Sequence, residues 1–367
     1  MNRFVQLHLL TSYPPANLNR DDLGRPKTAV MGGATRLRVS SQSLKRSWRT
    51  SDIFRESLGG CMGTRTKRMG IVFFSVLQDL EVEPKKAMEW AQKIAGVFGK
   101  LKSLPKKEQE ALKNLSEEEQ QQKQMVTLEI EQLAHFSPEE ITAIQSLCII
   151  LAEKDRAPKD DELALLRSSH RAVDIALFGR MLASSPEFNT EAAAQVAHAI
   201  STHKVAVEDD FFTAVDDLND GSEDMGAGHM GDTEFAAGLF YLYICIDKEL
   251  LIKNLSGDTD LADRTVDALV NSAAQVAPTG KQNSFASRAR ASYILCETGD
   301  QQPRSLSVAF LKPIYNNDML NASINALEEN INSMDKAYGA CADNRCTMNT
   351  VSGEGTLTEI VNCATGA

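Results

Sequence analysis

An α+β fold built on a ferredoxin-like sheet is the expectation for this 367-residue chain. Buried-strand patterns recur at Arg3 to Ser12, Leu239 to Ile246 and Ala291 to Glu297, and helix-like patterns fall between them at about Leu44 to Glu56 and Leu261 to Val276. Strand, helix, strand and again helix and strand is the order of RNA-recognition modules. Between the first helix and the second strand, Gly70 to Leu166 reads as helical without strand-like alternation, which makes it an insertion. The hydrophobic content of 43% supports a sizeable core, arranged as two domains or as one with large insertions.

The first strand rests on Phe4, Val5, Leu7, Leu9 and Leu10, and Tyr13-Pro14-Pro15 is its expected stop. The loop that follows carries LNRDD, Leu18 to Asp22. Gly32-Gly33 then punctuates the chain, Leu37 to Val39 is a short strand, and Ser41 or Ser43 caps the helix to Glu56. In the insertion, Ser137-Pro138-Glu139-Glu140 reads as a helix start, because proline suits the first turn and acids suit the positive end of the dipole. VDIALFGRM, from Val173, reads as a further strand, and Glu191 to His203 as a helix.

Lys204 to Asp232 reads as a protruding hairpin or arm. It holds Phe211 and Phe212, an acidic run (Asp216, Asp217, Asp220, Glu223, Asp224) and Gly221, Gly226, Gly228 and Gly231, too little apolar surface for a core of its own. A helix-containing closure follows Pro303, and the tail from Gly339, rich in Gly, Thr, Asn and Cys, is expected to be ordered poorly or only on assembly.

The chain is acidic, with 39 Lys and Arg against 50 Asp and Glu and a net charge of -11. That balance is the opposite of a typical nucleic-acid binder, but the distribution is uneven. Residues 20–68 hold 12 basic and 4 acidic side chains, so an acidic body carries one basic stripe. Its densest part is Arg36 to Arg49, RLRVSSQSLKRSWR, where cations alternate with Ser40, Ser41, Gln42, Ser43 and Ser47. Guanidinium and ammonium groups anchor a polyanion, while hydroxyls and the amide bond phosphate oxygens and 2′-hydroxyls, and neither needs the base sequence. The motif straddles a strand end and a helix N-terminus, which adds backbone N–H groups and the dipole. Sequence-tolerant RNA binding is the expectation.

Other chemistry finds less support. Seven cysteines at 61, 148, 245, 296, 341, 346 and 363 are odd in number and scattered, hence free thiols; Cys341, Cys346 and Cys363 lack a CxxC spacing or a nearby His for a metal. Gly226 to Gly231 matches GxGxxG but follows an acidic run and precedes a strand, the wrong context for a dinucleotide. Asp21 and Asp22 are candidates for a metal site or a general base in a ribonuclease, yet beside Arg20 and Arg25 they are better read as orienting those guanidiniums. His198 and His203, five apart, do not share a helix face. No catalytic residue, cofactor or metal is therefore assigned. Met181 reads on composition as core; Phe211 and Phe212 are candidates for stacking on an unpaired base, at a gain of about 1–3 kcal/mol each. The longest apolar run, Gly238 to Ile246, is too short to span a bilayer, so a soluble, cytoplasmic protein is expected.

LNRDD, RVSSQSLKRS, VDIALFGRM, AHAISTHKV with FFTAVDDL, and HMGDTEF, in this order from Leu18 to about Ala286, resemble the backbone (CasC-type) subunits of type I-E CRISPR Cascade surveillance complexes. The resemblance implies a right-hand shape: an RNA-recognition-type palm (1–58, 170–203 and 234–367), a helical finger insertion (59–169) and a thumb hairpin (204–233). It implies a non-catalytic subunit that stacks head to tail in a helical filament on CRISPR RNA, capped by other Cascade subunits, and presents the guide to target DNA. Asn19, Arg20, Ser40, Gln42, Lys45, Arg46 and Arg49, with Lys281 of PTGKQNSFAS, would contact the RNA backbone. Met181, Phe211 and Phe212 would wedge at kinks where a nucleotide is flipped out. Two Phe stand where relatives carry a Trp and a Phe, and the tail from Gly339 carries no recognised motif. Related type III subunits cleave target RNA with a loop Asp, which makes a ribonuclease using Asp21 or Asp22 the alternative.

Overall fold

A computed structural model describes residues 2–105, 117–167, 170–214 and 229–366. In chain order the strands are β1 (Phe4–Ala16), β2 (Thr28–Met31), β3 (Ala34–Val39), β4 (Thr64–Thr66), β5 (Ala134–Phe136) and β6 (Ala194–Val196). They continue with β7 (Ala199–Ser201), β8 (Glu208–Ala214), β9 (His229–Asp247), β10 (Tyr293–Gly299) and β11 (Asn344–Asn349). By internal contacts the chain forms two compact units, residues 1–57, 194–249 and 263–367, and residues 58–193 and 250–262.

The first unit is a mixed α/β body on an antiparallel sheet ordered β11-β10-β1-β9-β7-β3-β2, with β6 and β8 also paired to β9. Burial is nearly continuous along its central strands β1 and β10, and successive side chains point to opposite faces, so both faces are covered. On one face Ile324, Leu327 and Ile331 of the Met319–Tyr338 helix pack with Leu10, Tyr241, Tyr293, Leu295 and Phe310. On the other, Leu44 and Trp48 of the Ser41–Arg49 helix and Ala273 of the Thr259–Gln275 helix meet Tyr13, Phe240 and Leu242. Trp48 is 1% exposed, and burying an aromatic of that size contributes roughly 4–6 kcal/mol at about 25 cal/mol per Å2.

An ionic network sits under β10. Glu297, fully buried, accepts from His8 Nε2 at 3.2 Å, from Arg304 and from Arg345, and Arg345 continues to Asp335. His8 Nδ1 takes the Tyr241 hydroxyl at 2.9 Å, and that hydroxyl accepts from the Leu306 N–H. Burial lowers the His8 pKa, and this pattern of partners suits a neutral ring carrying its proton on Nε2.

The second unit packs the helices Met69–Asp79, Pro84–Gly96 and Pro138–Lys154 around Phe73, Leu77, Trp90, Ile94, Phe136 and Leu147. The helix start expected at Ser137 is present as a reciprocal capping box with Glu140.

Several local expectations are corrected. β1 does not stop at Tyr13 but runs through Pro14 and Pro15 to Ala16, with its register against β9 shifting between Tyr13 and Ala16; the prolines occupy the irregularity, where no ladder N–H is needed. The helix expected to Glu56 breaks at Thr50: the Thr50 and Ser51 hydroxyls bond the Arg46 and Trp48 carbonyls, and Ser51 Oγ then accepts from Phe54 N of a second helix, Asp52–Ser57. Glu191 to His203 is not a helix, because its Ala-rich residues pair with β9 as β6 and β7. VDIALF is a buried helix, Val173–Phe178, and not a strand; a short apolar run does not distinguish the two. The insertion does contain a strand, β5, paired with β4 just ahead of it. The tail from Gly339 is ordered, as β11 and a Leu357–Thr365 helix with its own Thr356–Glu359 capping box. Residues 170–193, assigned to the palm from the sequence, and 250–262 group with the helical unit.

Candidate nucleic-acid interface

The densest part of the stripe lies on the sheet unit, where the Ser41–Arg49 helix and an open depression beside its N-terminus together make a furrow. Ser40 is the N-cap of the Ser41–Arg49 helix: its hydroxyl accepts from Ser43 N at 3.4 Å, and its own N–H goes to Asn19 Oδ1 at 2.9 Å. His198 Nδ1 accepts from Ser41 N at 2.9 Å, so a second orphan N–H of the helix is satisfied by a side chain. Burial and the neighbouring Arg38 and Lys27 lower the His198 pKa, in keeping with a neutral ring. The helix turns Leu44, Ser47 and Trp48 inward. Gln42, Lys45, Arg46 and Arg49, spaced by three and four, thereby share the outward side. Gln42 and Arg46 are exposed; Lys45 and Arg49 are half-buried, and burial lowers the Lys45 pKa.

The LNRDD loop sits against the helix start. Asp21 Oδ1 accepts from Leu23 N at 3.0 Å and Arg25 N at 2.9 Å, and Asn17 Nδ2 donates to Gly24 O and Glu234 O. Asp21 therefore fastens a turn through backbone N–H groups, and does not orient Arg20 or Arg25 as expected; the Arg25 guanidinium lies 3.1 Å from Glu234 instead. Residues 18–22 and Gly24 line an open depression of about 420 Å3 with Ser43, Thr279 and Gly280. Gly280 is required there, since a Cβ would stand 2.2 Å from Leu18 O. Lys281 follows at φ 44°, its Nζ 3.4 Å from Thr233 Oγ1, so PTGK links the furrow to the foot of the hairpin. Arg36 is a correction to the stripe: fully buried, it donates to the carbonyls of Ser201 and Phe310 and is not presented at the surface.

The arm expected at 204–232 begins as a two-stranded ribbon, with Phe211 opposite Asp232, Phe212 opposite Gly231 and Thr213 opposite Met230. All seven residues of β8 are exposed. Neighbours along a strand point to opposite faces, so Phe211 and Phe212 do not act as one pair. Phe211, with Thr213 and Met230, occupies one face, and the Phe212 ring lies over Gly231, where a Cβ would come within 2.7 Å of it. Met230, 63% exposed, went unnoticed in the sequence although HMGDTEF contains it. The acidic run Asp216 to Asp224 and Gly226 to Gly228 lie outside the described residues; Met230 and Gly231 lie in β9, not at a helix start as a dinucleotide fingerprint requires.

On the helical unit, Met181 is 80% exposed and is not the core residue that composition suggested. Its neighbours explain the protrusion. Arg180 is buried and donates to Glu140 at 2.8 and 2.9 Å and to the carbonyls of Arg167 at 2.8 Å and Phe188 at 3.2 Å. Leu182, also buried, donates its N–H to Asn189 Oδ1 at 2.7 Å. Anchored on both sides, Met181 has only the outward direction.

Among the described residues no three His, Cys, Asp or Glu side chains are placed to hold a metal ion, and no helix is long and apolar enough to cross a membrane.

A chain of a CRISPR RNA-guided surveillance complex, pre-nicking, superposes with a TM-score of 0.81 at 27% identity, covering 98% of this chain and 100% of that one. A chain of a second CRISPR RNA-guided surveillance complex shares the fold at a TM-score of 0.59 and 23% identity, over 99% of this chain and 98% of that one. No curated protein matches the sequence. The model of the CT1975-like proteins matches residues 5–363, which corrects the expectation that the tail from Gly339 stands apart, and the chain belongs to that family.

Proposed function

We propose that this protein is the non-catalytic backbone subunit of a type I-E CRISPR surveillance complex, binding the guide RNA along its sugar-phosphate chain and polymerising head to tail on it. The observation that carries the reading is the furrow: one helix face bearing Gln42, Lys45, Arg46 and Arg49 beside a loop with Asn19 and Arg20, closed by the turn before Lys281. These groups recognise phosphate and ribose hydroxyls, which leaves base edges available for target DNA. The order β10-β1-β9-β7, with helices between β1 and β7 and between β9 and β10, supports a ferredoxin-like palm. Under this reading 59–169 are the fingers and 204–233 the thumb, and Met181 and the two thumb Phe hold flipped-out nucleotides. Other subunits of the complex cap the filament, in the cytoplasm.

The role is taken as non-catalytic because Asp21 Oδ1 accepts two backbone N–H groups, which commits that carboxylate to holding its own turn. Electron microscopy of the protein purified with its nucleic acid tests the assembly: helical arrays on RNA are expected, and discrete monomers on RNA would contradict it. Incubation with complementary RNA and manganese tests the chemistry. No cleavage is expected, and cleavage that disappears in Asp21→Ala or Asp22→Ala would convert the protein to a ribonuclease.

A further inference from the structure

The C-terminal segment gathers three cysteines that RNA binding leaves unused. Cys296 of β10 and Cys346 of β11 stand directly opposite in the antiparallel ladder, which puts both thiols on one side of the sheet. The Leu357–Thr365 helix packs on both strands, and its Cys363 thiol lies within hydrogen-bonding reach of the other two. All three are free thiols. Cys296 is sealed beneath the others, whereas Cys346 and Cys363 are half-buried and line an open depression of about 760 Å3 with Asn344, Glu359 and Asn362. A small disulfide has room to reach these two sulfurs and not the third.

We propose that Cys346 and Cys363 form a reversible disulfide by exchange with a small-molecule disulfide of the glutathione type. Hydrogen bonding to Cys296, assisted by Cys346 and opposed by burial, lowers the Cys363 thiol to about 6, while burial first pushes Cys346 up to about 11. Cys363 is thus the thiolate at neutral pH and attacks first. It bonds to one sulfur of oxidised glutathione and expels a glutathione thiolate. Cys346 then attacks Cys363 Sγ, gives its proton to solvent and expels the second glutathione thiolate. Two electrons pass from the protein's two sulfurs to the oxidant, which leaves as two thiols. The bond ties the last helix to the edge strand and restricts the unfolded chain, so it raises stability.

Both cysteines lie in one stretch without Lys or Arg, but Glu354 and Glu359 separate them. The test therefore incubates the full chain with oxidised glutathione, alkylates remaining thiols and cleaves after Glu. The expected product is the Cys346 peptide joined to the Cys363 peptide at the loss of two hydrogens, undone by dithiothreitol, with Cys296 alkylated once the protein is unfolded. Cys296→Ser should keep the cross-link and Cys363→Ser should lose it. Alkylation of both Cys346 and Cys363 after oxidation, glutathione persisting on Cys363 without a cross-link, or a Cys296–Cys363 bond would each overturn the proposal.

Discussion

Met181 and the Phe211–Phe212 ribbon both offer apolar side chains to solvent, yet they are held out in opposite ways. Met181 rises from a buried frame in which a guanidinium and a carboxylate, each at most 1% exposed, lock the residue beside it. The ribbon is held differently, since every residue of β8 is exposed and its ladder pairs with β9. A spur on a packed frame is already in its working geometry, whereas a two-stranded ribbon without a core is marginal and gains its order from what it touches. The difference teaches that an exposed apolar residue is read from the cost of its surroundings.

The sharpest way to break the contrast is Arg180→Ala. It leaves Glu140 charged and unpaired in the interior and should lower stability by about 3–5 kcal/mol in urea denaturation; a loss below about 1 kcal/mol would remove the frame from the account. A comparable buried charge in the sheet unit supplies the pH test. Burial works to raise the Glu297 pKa, but hydrogen bonds from His8, Arg304 and Arg345 outweigh it and hold the carboxyl far below its usual range, while burial lowers the His8 pKa. A carboxyl with a depressed folded pKa stabilises above its unfolded value of about 4.3 and loses that contribution on acidification. His8, kept neutral when folded, favours the protonating unfolded chain below about pH 6.5. Both signs agree, so stability should fall as pH drops from about 6.5 and more steeply below about 4.5. Glu297→Gln should flatten the lower part of the curve, and an unchanged pH profile would count against the network.

Gly280→Ala alters the furrow without altering its charge. A Cβ 2.2 Å from Leu18 O must push the PTGK turn away, so RNA affinity should drop about tenfold or more with the cations intact. Wild-type affinity would detach that turn from the site. The smallest expected change in stability is at the spurs: Met181→Ala and Phe212→Ala should each stay within about 0.5 kcal/mol of wild type, because neither side chain is in a core. Both should retain RNA binding and lose target-DNA pairing, measured by duplex formation on the assembled complex.

Much of this was legible in the chain. The central strands were visible because both faces are buried and their apolar runs are long, and the Thr259–Gln275 helix because its period is regular. The outward face around Lys45 followed from helical spacing alone. What failed depended on partners distant in sequence. Ala194 to Ser201 looks helical until β9 is beside it, and Arg36 looks like a ligand for phosphate until the Ser201 and Phe310 carbonyls enclose it. Met181 looked like core because an apolar run does not reveal that Arg180 is the buried member. The ordered tail carried an overlooked signal, the capping box from Thr356 to Glu359.

The proposed phosphate-directed, sequence-blind binding rests on the helix face. Filter binding of two unrelated single-stranded RNAs across a salt series, wild type against the Lys45→Ala/Arg49→Ala double variant, measures it directly. The prediction is equal weakening for both RNAs and a salt slope shallower by about 1.4, two contacts at about 0.7 each. An unaltered slope, or a loss confined to one RNA, would contradict it.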